Sequence, residues 1–160
     1  MIFVCLGTQE FQFDRLLKKL DELAARGVIK DEIVAQTGYS TYKPLRFRYE
    51  KFLNFDEFDD LLEKSSLVIT HGGTGTIIKA LRRGKRVIAV PRMKKYGEHV
   101  DDHQREIIAV FSEKNLIMGL DDTEQLEEAL SRVGGFTPER FVSGNSKIIS
   151  ILMEFISSCR

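Results

Sequence analysis

A segment rich in glycine and threonine at residues 70–76 offers the most distinctive chemistry in this chain of 160 residues. It reads Thr-His-Gly-Gly-Thr-Gly-Thr, follows a short apolar run and precedes a helical pattern. Free amide N–H groups at the start of a helix attract anions, and glycines let the backbone approach a phosphate or diphosphate. His71 could donate a further hydrogen bond to such an anion, or it could be an ordinary turn residue. The segment is neither a P-loop nor a dinucleotide fingerprint, because both need other residues at fixed spacing.

Two other segments contain residues suited to a binding site. Gly7 and Thr8 follow the first apolar run, where a glycine either admits a ligand or makes a tight turn. Residues 91–104 combine histidines, acids, bases and a glutamine; long polar loops of this kind often carry function, and a solvated charged loop is the alternative. His99 and His103 would share a helix face, so with Asp102 they could also hold a metal ion.

The charge balance narrows the range of partners. Lys and Arg together number 24, as do Asp and Glu, so the net charge is zero, which argues against a nucleic-acid-coating protein and a polybasic membrane binder. Residues 79–95 are an exception, because they include eight basic residues and no acidic one. We therefore expect positive potential around two of the three segments, although some of these bases would merely solvate a helix end.

The composition predicts a single cytosolic domain over residues 1–160. With 42% hydrophobic and 30% charged residues, the chain can build one hydrophobic core. No apolar run approaches the ~20 residues that span a bilayer, and residues 1–6 lack the basic start of a signal peptide. Cys5 and Cys159 form neither a disulfide framework nor a zinc-ligand pattern, so reduced thiols are expected.

Strand and helix patterns alternate along the chain. Apolar runs of strand length occupy residues 2–6, 32–36, 45–49, 67–70, 87–90 and 116–118. Amphipathic helical patterns occupy residues 11–23, 55–62, 74–83, 100–112, 122–132 and 146–157. Because parallel strands need a crossover connection, this alternation predicts an α/β fold with a Rossmann-like, doubly wound, mostly parallel sheet. Ligands bind at the carboxyl ends of such strands, where all three segments would lie.

Several stretches together resemble one family of sugar-transferring enzymes. They are residues 71–76, 91–95, 97–100 and 102–104, with support from residues 7–10 and 36–39. The chain resembles the donor-binding C-terminal domain of family 28 glycosyltransferases, in particular the PssE-type subunits of bacterial exopolysaccharide and capsule synthesis. These are similar to the catalytic subunit of the eukaryotic two-chain transferase that adds the second N-acetylglucosamine to dolichol diphosphate. The resemblance covers nearly the whole chain and implies the C-terminal half of a GT-B fold.

The resemblance also implies which residues bind the ligand. Residues 71–74 would lie near the donor diphosphate, residues 102–104 would face the sugar, and the backbone around Phe52 and Leu53 would border the uracil. Lys79 stands where relatives often have an acid that binds the ribose. With the loop after the first strand included, the expected nucleotide-sugar-binding residues are Gly7, Thr8, Phe52, Leu53, His71, Gly72, Gly73, Thr74, Gly75, Arg92, Asp102, His103 and Gln104.

The implied function is that of the donor-binding catalytic subunit of a two-chain inverting glycosyltransferase. It would move a sugar from a UDP-sugar to a lipid-diphosphate-linked saccharide, with amide N–H groups rather than a metal or other cofactor stabilising the leaving diphosphate. The candidate bases are Glu98, His99 and His103, although the base could come from the partner. That partner would be a membrane-anchored, acceptor-binding PssD-type chain, which would recruit this chain to the cytoplasmic face of the membrane.

Two other functions fit the same residues. One is a non-catalytic module that binds a nucleotide or phospho-ligand. The other is a metal-dependent phosphatase, whose ligands would be His71, His99, Asp102 and His103. The helical pattern at residues 146–157 is more apolar than one packing face requires, so its surplus apolar side is expected to dock on the partner.

Overall fold

The computed structural model describes residues 1–141 of the chain. Its strands are β1 Ile2–Cys5, β2 Ile33–Gln36, β3 Arg48–Glu50, β4 Leu67–Thr70, β5 Arg86–Ala89 and β6 Met118–Gly119. Its α-helices are α1 Asp14–Ala25, α2 Phe55–Lys64, α3 Thr74–Arg82, α4 His103–Glu113 and α5 Leu126–Val133. The predicted helix at residues 146–157 lies outside the described residues. Within residues 1–141, no helix has the length and apolar content needed to cross a bilayer.

The strands form one sheet in the order β3-β2-β1-β4-β5-β6, and every neighbouring pair runs parallel. This is the strand order of the doubly wound dinucleotide-binding fold, with the chain reversing direction between β1 and β4. The central strands β1 and β4 are buried along their whole length. The predicted Rossmann-like α/β fold is therefore confirmed.

Two apolar clusters cover the two faces of the sheet. Alternate residues of a strand point to opposite faces, so Ile2 and Val4 belong to one cluster while Phe3 and Cys5 belong to the other. Helices α1 and α5 pack on the first face, and α2, α3 and α4 pack on the second. The helices that follow β1 and β4 thus lie on opposite faces, which opens a crevice between the carboxyl ends of these two strands.

Several element boundaries differ from the sequence-based expectations. The edge strand β3 occupies residues 48–50 rather than 45–49, because the Asp21 carboxylate in α1 accepts the backbone N–H groups of Leu45 and Arg46 and holds them in a loop. Helix α4 begins at residue 103 rather than 100, and a short 3-10 helix, Lys94–Tyr96, precedes it. Strand β6 covers residues 118–119 only, and the helix expected at 122–132 divides into a 3-10 turn and α5.

Candidate functional site

The crevice between β1 and β4 brings two of the three predicted segments together. Cys5 and Thr70 are paired in register at the carboxyl ends of the two strands. The loop that begins at Gly7 and the loop that begins at His71 therefore leave the sheet side by side. Helix α3 starts directly after the second loop, so its first turn opens into the crevice.

Two glycines in these loops press against the ring of His71. A Cβ atom at Gly7 would lie 2.7 Å from His71 Cε1, and one at Gly73 would lie 2.6 Å from His71 Nε2. Gly7 also has a positive φ of 74°, a conformation that favours glycine. An added Cβ at either position would force the ring or the loop to shift, so the two glycines let both loops approach one edge of the imidazole closely. We refer to Gly7, His71, Gly72, Gly73 and the first turn of α3 as the anion cradle.

The first turn of α3 lacks a side-chain cap. Gly73 is the N-cap residue and no side chain accepts a hydrogen bond there, whereas α2 has a complete capping box formed by Asn54 and Glu57. The N-terminal amides of an α-helix have no partner within the helix and carry partial positive charge. The amides at the start of α3, from Thr74 onward, are thus available to an anion held in the cradle.

His71 is buried and neutral. Burial, assisted by the nearby positive charge of Arg92, lowers the pKa of His71 to about 3. Its Nδ1 atom lies 3.3 Å from the backbone oxygen of Cys5 and 3.4 Å from Oγ1 of Thr70. The Nε2 edge of the ring faces the two glycines. His71 is therefore a neutral member of the cradle, with its Nε2 atom beside the two glycines.

Arg92 places a buried cation behind the same loops. Its side chain is wholly buried, and Nη2 donates to the backbone oxygens of Leu6 at 2.7 Å and Phe11 at 3.0 Å. Within residues 1–141, Nε and Nη1 have no hydrogen-bond partner. Burial lowers the pKa of Arg92 to about 10, so the guanidinium remains charged at neutral pH. Arg92 thus fixes both ends of the loop after β1 and contributes positive potential beneath it.

A cleft of about 280 Å³ extends from the cradle towards the start of α2. It is lined by predicted residues and by residues that the sequence analysis missed. The predicted binding residues are Gly7, Thr8, Leu53 and Gly75, Thr76 belongs to the predicted segment 70–76, and the missed ones are Cys5, Gln36, Asn54, Phe55, Phe58 and Lys79. Lys79, the first residue of the basic stretch 79–95, stands where relatives often have an acid and borders this cleft. Its ammonium lies over the rings of Phe55 and Phe58, at 4.7 and 5.1 Å from their centroids.

Gln36 connects two walls of this cleft. Its side-chain oxygen accepts the backbone N–H of Leu53 at 3.2 Å, and its nitrogen lies 3.4 Å from the backbone oxygen of Gly7. A polar residue at the end of an otherwise apolar, buried strand was the sequence signal that could have identified it. Phe52 lies outside the cleft, where its exposed ring packs edge-on against Tyr39 at 5.4 Å.

In the third segment, the structure pairs Glu98 with an arginine. Glu98 is buried, and its two oxygens accept from Nε and Nη2 of Arg15, each at 3.0 Å. Oε2 also accepts the backbone N–H of Met93. With these three hydrogen bonds, the Glu98 carboxylate holds this loop against α1.

The other polar residues of the third segment are also engaged with one another. Nδ1 of His99 lies 3.0 Å from Oδ1 of Asp101, and Nε2 of His103 lies 3.8 Å from the other oxygen of the same carboxylate. Asp102 accepts the backbone N–H of Lys94. In the described part of the chain, no group of three or more His, Cys, Asp or Glu side chains could hold a metal ion. In the described residues, the four expected phosphatase ligands, His71, His99, Asp102 and His103, are thus not brought together as one such group.

Gln104 is buried and braces the end of β5. Its side-chain oxygen accepts the backbone N–H of Arg92 at 3.1 Å. Its neighbour His103 is half-buried at the start of α4. The structure therefore gives Gln104 a supporting role in the loop, in addition to the sugar contact that the resemblance implies.

Three basic residues of the stretch 79–95 lie at or just after a helix end, as the sequence analysis allowed for some of these bases. Arg83 pairs with Asp59, Lys85 donates to a backbone oxygen of α2, and Arg86 donates to the backbone oxygen of Phe136. These bases lie at the end of α3 and the start of β5, and therefore at the opposite end of the sheet from the crevice. A larger groove of about 470 Å³ beside α1 is also a weaker candidate, because its Arg15 and Glu98 are already paired.

Comparison with protein families matches residues 1–138 to the glycosyltransferase family 28 C-terminal domain. The chain belongs to this family. The predicted resemblance is thereby confirmed over the residues that form the sheet and all three loops. The family 28 assignment also agrees with a ligand crevice at the carboxyl ends of β1 and β4.

Three curated relatives of this family 28 chain share one name. The UDP-N-acetylglucosamine transferase subunit ALG13 of Mus musculus is 31% identical over 113 residues, which cover 61% of this chain and 9% of the relative. The subunit of that name from Kluyveromyces lactis is 39% identical over 67 residues, covering 41% of this chain and 32% of the relative. The chain thus spans less than a third of the length of either.

Solved structures support the fold of the family 28 domain. An NMR solution structure of ALG13 matches 94% of this chain and 93% of its own length, with a TM-score of 0.60 and 19% identity. The calicheamicin glycosyltransferase CalG4 matches 96% of this chain but only 37% of its own length, with a TM-score of 0.54 and 16% identity. The fold is accordingly the Rossmann-like half of a GT-B glycosyltransferase.

Proposed function

We propose that this chain is the donor-binding catalytic subunit of a two-chain inverting glycosyltransferase that uses a UDP-sugar. The observation that carries the proposal is the anion cradle, in which Gly7, Gly73 and the uncapped start of α3 surround a neutral His71. The membership of family 28 and the similarity to subunits named for UDP-N-acetylglucosamine transfer support a nucleotide sugar as the ligand.

The cradle supplies the chemistry that departure of a diphosphate needs. Negative charge grows on the diphosphate as its bond to the sugar breaks, and preoriented N–H donors stabilise that charge without having to reorganise. The uncapped amides of α3 are such donors, and the buried charge of Arg92 adds positive potential behind them. We propose that these groups act in place of a divalent metal ion.

The base that activates the acceptor hydroxyl would be His99 or His103. Inversion requires a base on the side of the sugar opposite the diphosphate, and the two candidates are His99, on the loop between β5 and α4, and His103, the first residue of α4. Glu98 is a weaker candidate, because its carboxylate is already paired with Arg15. The partner chain could also supply the base.

The acceptor and the partner follow from the same proposal. A single Rossmann-like half holds the donor, so a second domain must present the acceptor, which we propose is a lipid-diphosphate-linked saccharide. A membrane-anchored PssD-type chain would bind that lipid and bring this chain to the cytoplasmic face of the membrane. The role would be the synthesis of an exopolysaccharide, a capsule or a related glycan.

Calorimetry with UDP tests donor binding directly. We expect UDP to bind the purified chain equally well in EDTA and in added Mg²⁺, because the cradle amides and Arg92 supply the positive charge. Binding only in the presence of the metal would contradict the metal-free mechanism. Absence of UDP binding in either buffer would overturn the proposed function itself.

Turnover distinguishes the enzyme from a non-catalytic binding module. The chain is mixed with a membrane-anchored partner and a lipid-diphosphate-linked acceptor, and UDP release from a UDP-sugar is measured. The proposal requires UDP release that depends on both chains and on the acceptor. UDP binding without turnover in the complete mixture would favour the binding module.

A further inference from the structure

Thr70 is a buried residue that no part of the proposed mechanism uses. It ends β4, its side chain is fully buried, and its hydroxyl oxygen lies 3.4 Å from Nδ1 of His71. The same Nδ1 atom lies 3.3 Å from the backbone oxygen of Cys5. One ring nitrogen thus has two neighbours, and the position of the imidazole proton decides which one it bonds.

The two tautomers of neutral His71 satisfy these neighbours differently. With the proton on Nδ1, the ring donates to Cys5, the Thr70 hydroxyl proton loses its acceptor, and the lone pair of Nε2 faces the cradle. With the proton on Nε2, the Thr70 hydroxyl donates to Nδ1 and an N–H faces the cradle. Buried donors without partners are rarer than under-used carbonyl oxygens, which have two lone pairs. The second tautomer gives up the hydrogen bond from Nδ1 to the Cys5 oxygen at 3.3 Å, but it leaves no buried hydroxyl donor without an acceptor, and on that ground we favour it.

We infer that Thr70 is a positioning residue that sets the tautomer of His71, so that Nε2 carries the proton and donates it as a hydrogen bond into the anion cradle. The inference rests on the proposed function for the identity of the anion, a diphosphate. A neutral imidazole can assist a diphosphate only through an N–H, because its lone pair would repel the phosphate oxygens. Thr70 would thus make the site competent without touching the ligand.

The tautomer is measured in the full-length, ligand-free protein by long-range ¹H–¹⁵N NMR of ¹⁵N-labelled histidine. This spectrum distinguishes protonated from unprotonated ring nitrogens, so the wild-type protein alone tests the assignment. We expect a protonated Nε2 in wild type and in Thr70→Ser, and a proton shifted to Nδ1 in Thr70→Val, which keeps the shape but lacks the hydroxyl. A protonated Nδ1 in wild type would overturn the inference.

Affinity for UDP gives the second measurement. Losing a hydrogen bond to a charged group weakens binding by about tenfold or more, so Thr70→Val should bind UDP at least about tenfold more weakly. Thr70→Ser should bind UDP like wild type. Ser65→Ala is the matched control, since it removes another buried hydroxyl, bonded to Leu62, near the opposite end of β4.

The two measurements separate the two proposals. Unchanged UDP affinity in folded Thr70→Val would overturn the inference while leaving UDP binding in place. If wild type binds no UDP but its tautomer depends on the Thr70 hydroxyl, the proposed function is wrong and the control of His71 by Thr70 stands. An equal loss of affinity in Ser65→Ala and Thr70→Val would indicate general destabilisation and would also overturn the inference.

Discussion

At the scale of single residues, the closeness of Gly73 to His71 makes the cradle sensitive to one methyl group. A Cβ at Gly73 would lie 2.6 Å from Nε2 of His71, so Gly73→Ala must displace the ring or the loop. Because φ at this position is −65°, the backbone itself tolerates alanine. We expect a folded protein whose affinity for UDP falls at least about tenfold, roughly the loss of one charge-assisted hydrogen bond, measured by calorimetry.

Gly134→Ala is the control for this substitution. An added Cβ at Gly134 meets no atom within 4 Å, and the residue follows α5. UDP affinity should therefore equal that of wild type. A folded Gly73→Ala protein with undiminished UDP affinity would show that the diphosphate does not bind in the cradle.

The buried neutral state of His71 predicts how stability depends on pH. Burial and the charge of Arg92 lower its pKa to about 3, whereas the unfolded chain has the ordinary value of about 6.5. Below pH ~6.5 the unfolded state therefore binds a proton that the folded state does not, and stability falls with decreasing pH by up to about 1.4 kcal/mol per pH unit. The loss continues until the pH approaches the folded-state pKa.

Urea unfolding between pH 7.5 and pH 5 measures this contribution. Wild type should lose about 2 kcal/mol more over this range than His71→Asn, which has no titrating group at the position. The comparison is between slopes, so a constant offset in stability does not matter. Parallel slopes in the two proteins would mean that His71 is not held neutral by burial.

At the scale of elements, two carboxylates of α1 determine the path of the chain between β2 and β3. Asp14 accepts from the hydroxyl and amide of Thr41, and Asp21 accepts from the hydroxyl of Tyr42 and the amides of Leu45 and Arg46. The Asp21 bonds also raise the pKa of Tyr42. These bonds explain why a segment with strand-like residues remains a loop.

Asp21→Ala should therefore destabilise the whole domain. Asp21 is buried, and its removal leaves a hydroxyl and two amides without their charged acceptor. We expect a loss of about 2 to 3 kcal/mol, which corresponds to a Tm lower by roughly 4 to 12 °C for a domain of this size. Thermal unfolding followed by circular dichroism measures it.

Asp31→Ala provides the comparison, because Asp31 is exposed and its ion pair with the amino terminus spans 3.9 Å. Its Tm should stay within about 2 °C of wild type, as is usual for surface substitutions. Equal Tm values for both variants would show that the Asp21 bonds do not hold the loop.

At the scale of the whole molecule, the described residues 1–141 include an apolar cluster on each face of the sheet. A chain ending at residue 141 should therefore keep the fold and bind UDP, with affinity within about threefold of the full chain, since the cradle lies wholly within it. The predicted partner-binding helix at 146–157 lies outside the described residues, and its role stays a prediction. We expect the shortened chain not to co-purify with the partner.

Calorimetry measures UDP binding by the shortened chain, and co-purification measures its association with the partner. Retained UDP binding with lost association would assign docking to the last 19 residues. Association at undiminished yield would show instead that the partner binds the domain itself. Full-length protein carried through both measurements is the control.

The sequence by itself determined the fold class, the family and the position of the cradle. These follow from local patterns: buried runs alternate with amphipathic helices, and residues 70–76 place glycines between a strand and a helix. The spacing of apolar residues follows from the geometry of each helix or strand, and parallel strands bring their carboxyl ends to one edge of the sheet. Both features can therefore be inferred without knowing individual tertiary contacts. The existence of one domain over residues 1–160 stays a prediction.

Only the tertiary structure decided which polar side chains are free to act. By sequence Glu98 is a candidate base, whereas in the structure Arg15, 83 positions away, binds its carboxylate. Residues 45–49 have a strand-like pattern, whereas Asp21 binds the amides of Leu45 and Arg46. Thr70 and His71 are neighbours in the sequence. The sequence does not show, however, that Gly7 and Gly73 approach the imidazole closely and help to bury it. Charge pairing and desolvation depend on distances in space, which a linear pattern of residues does not contain.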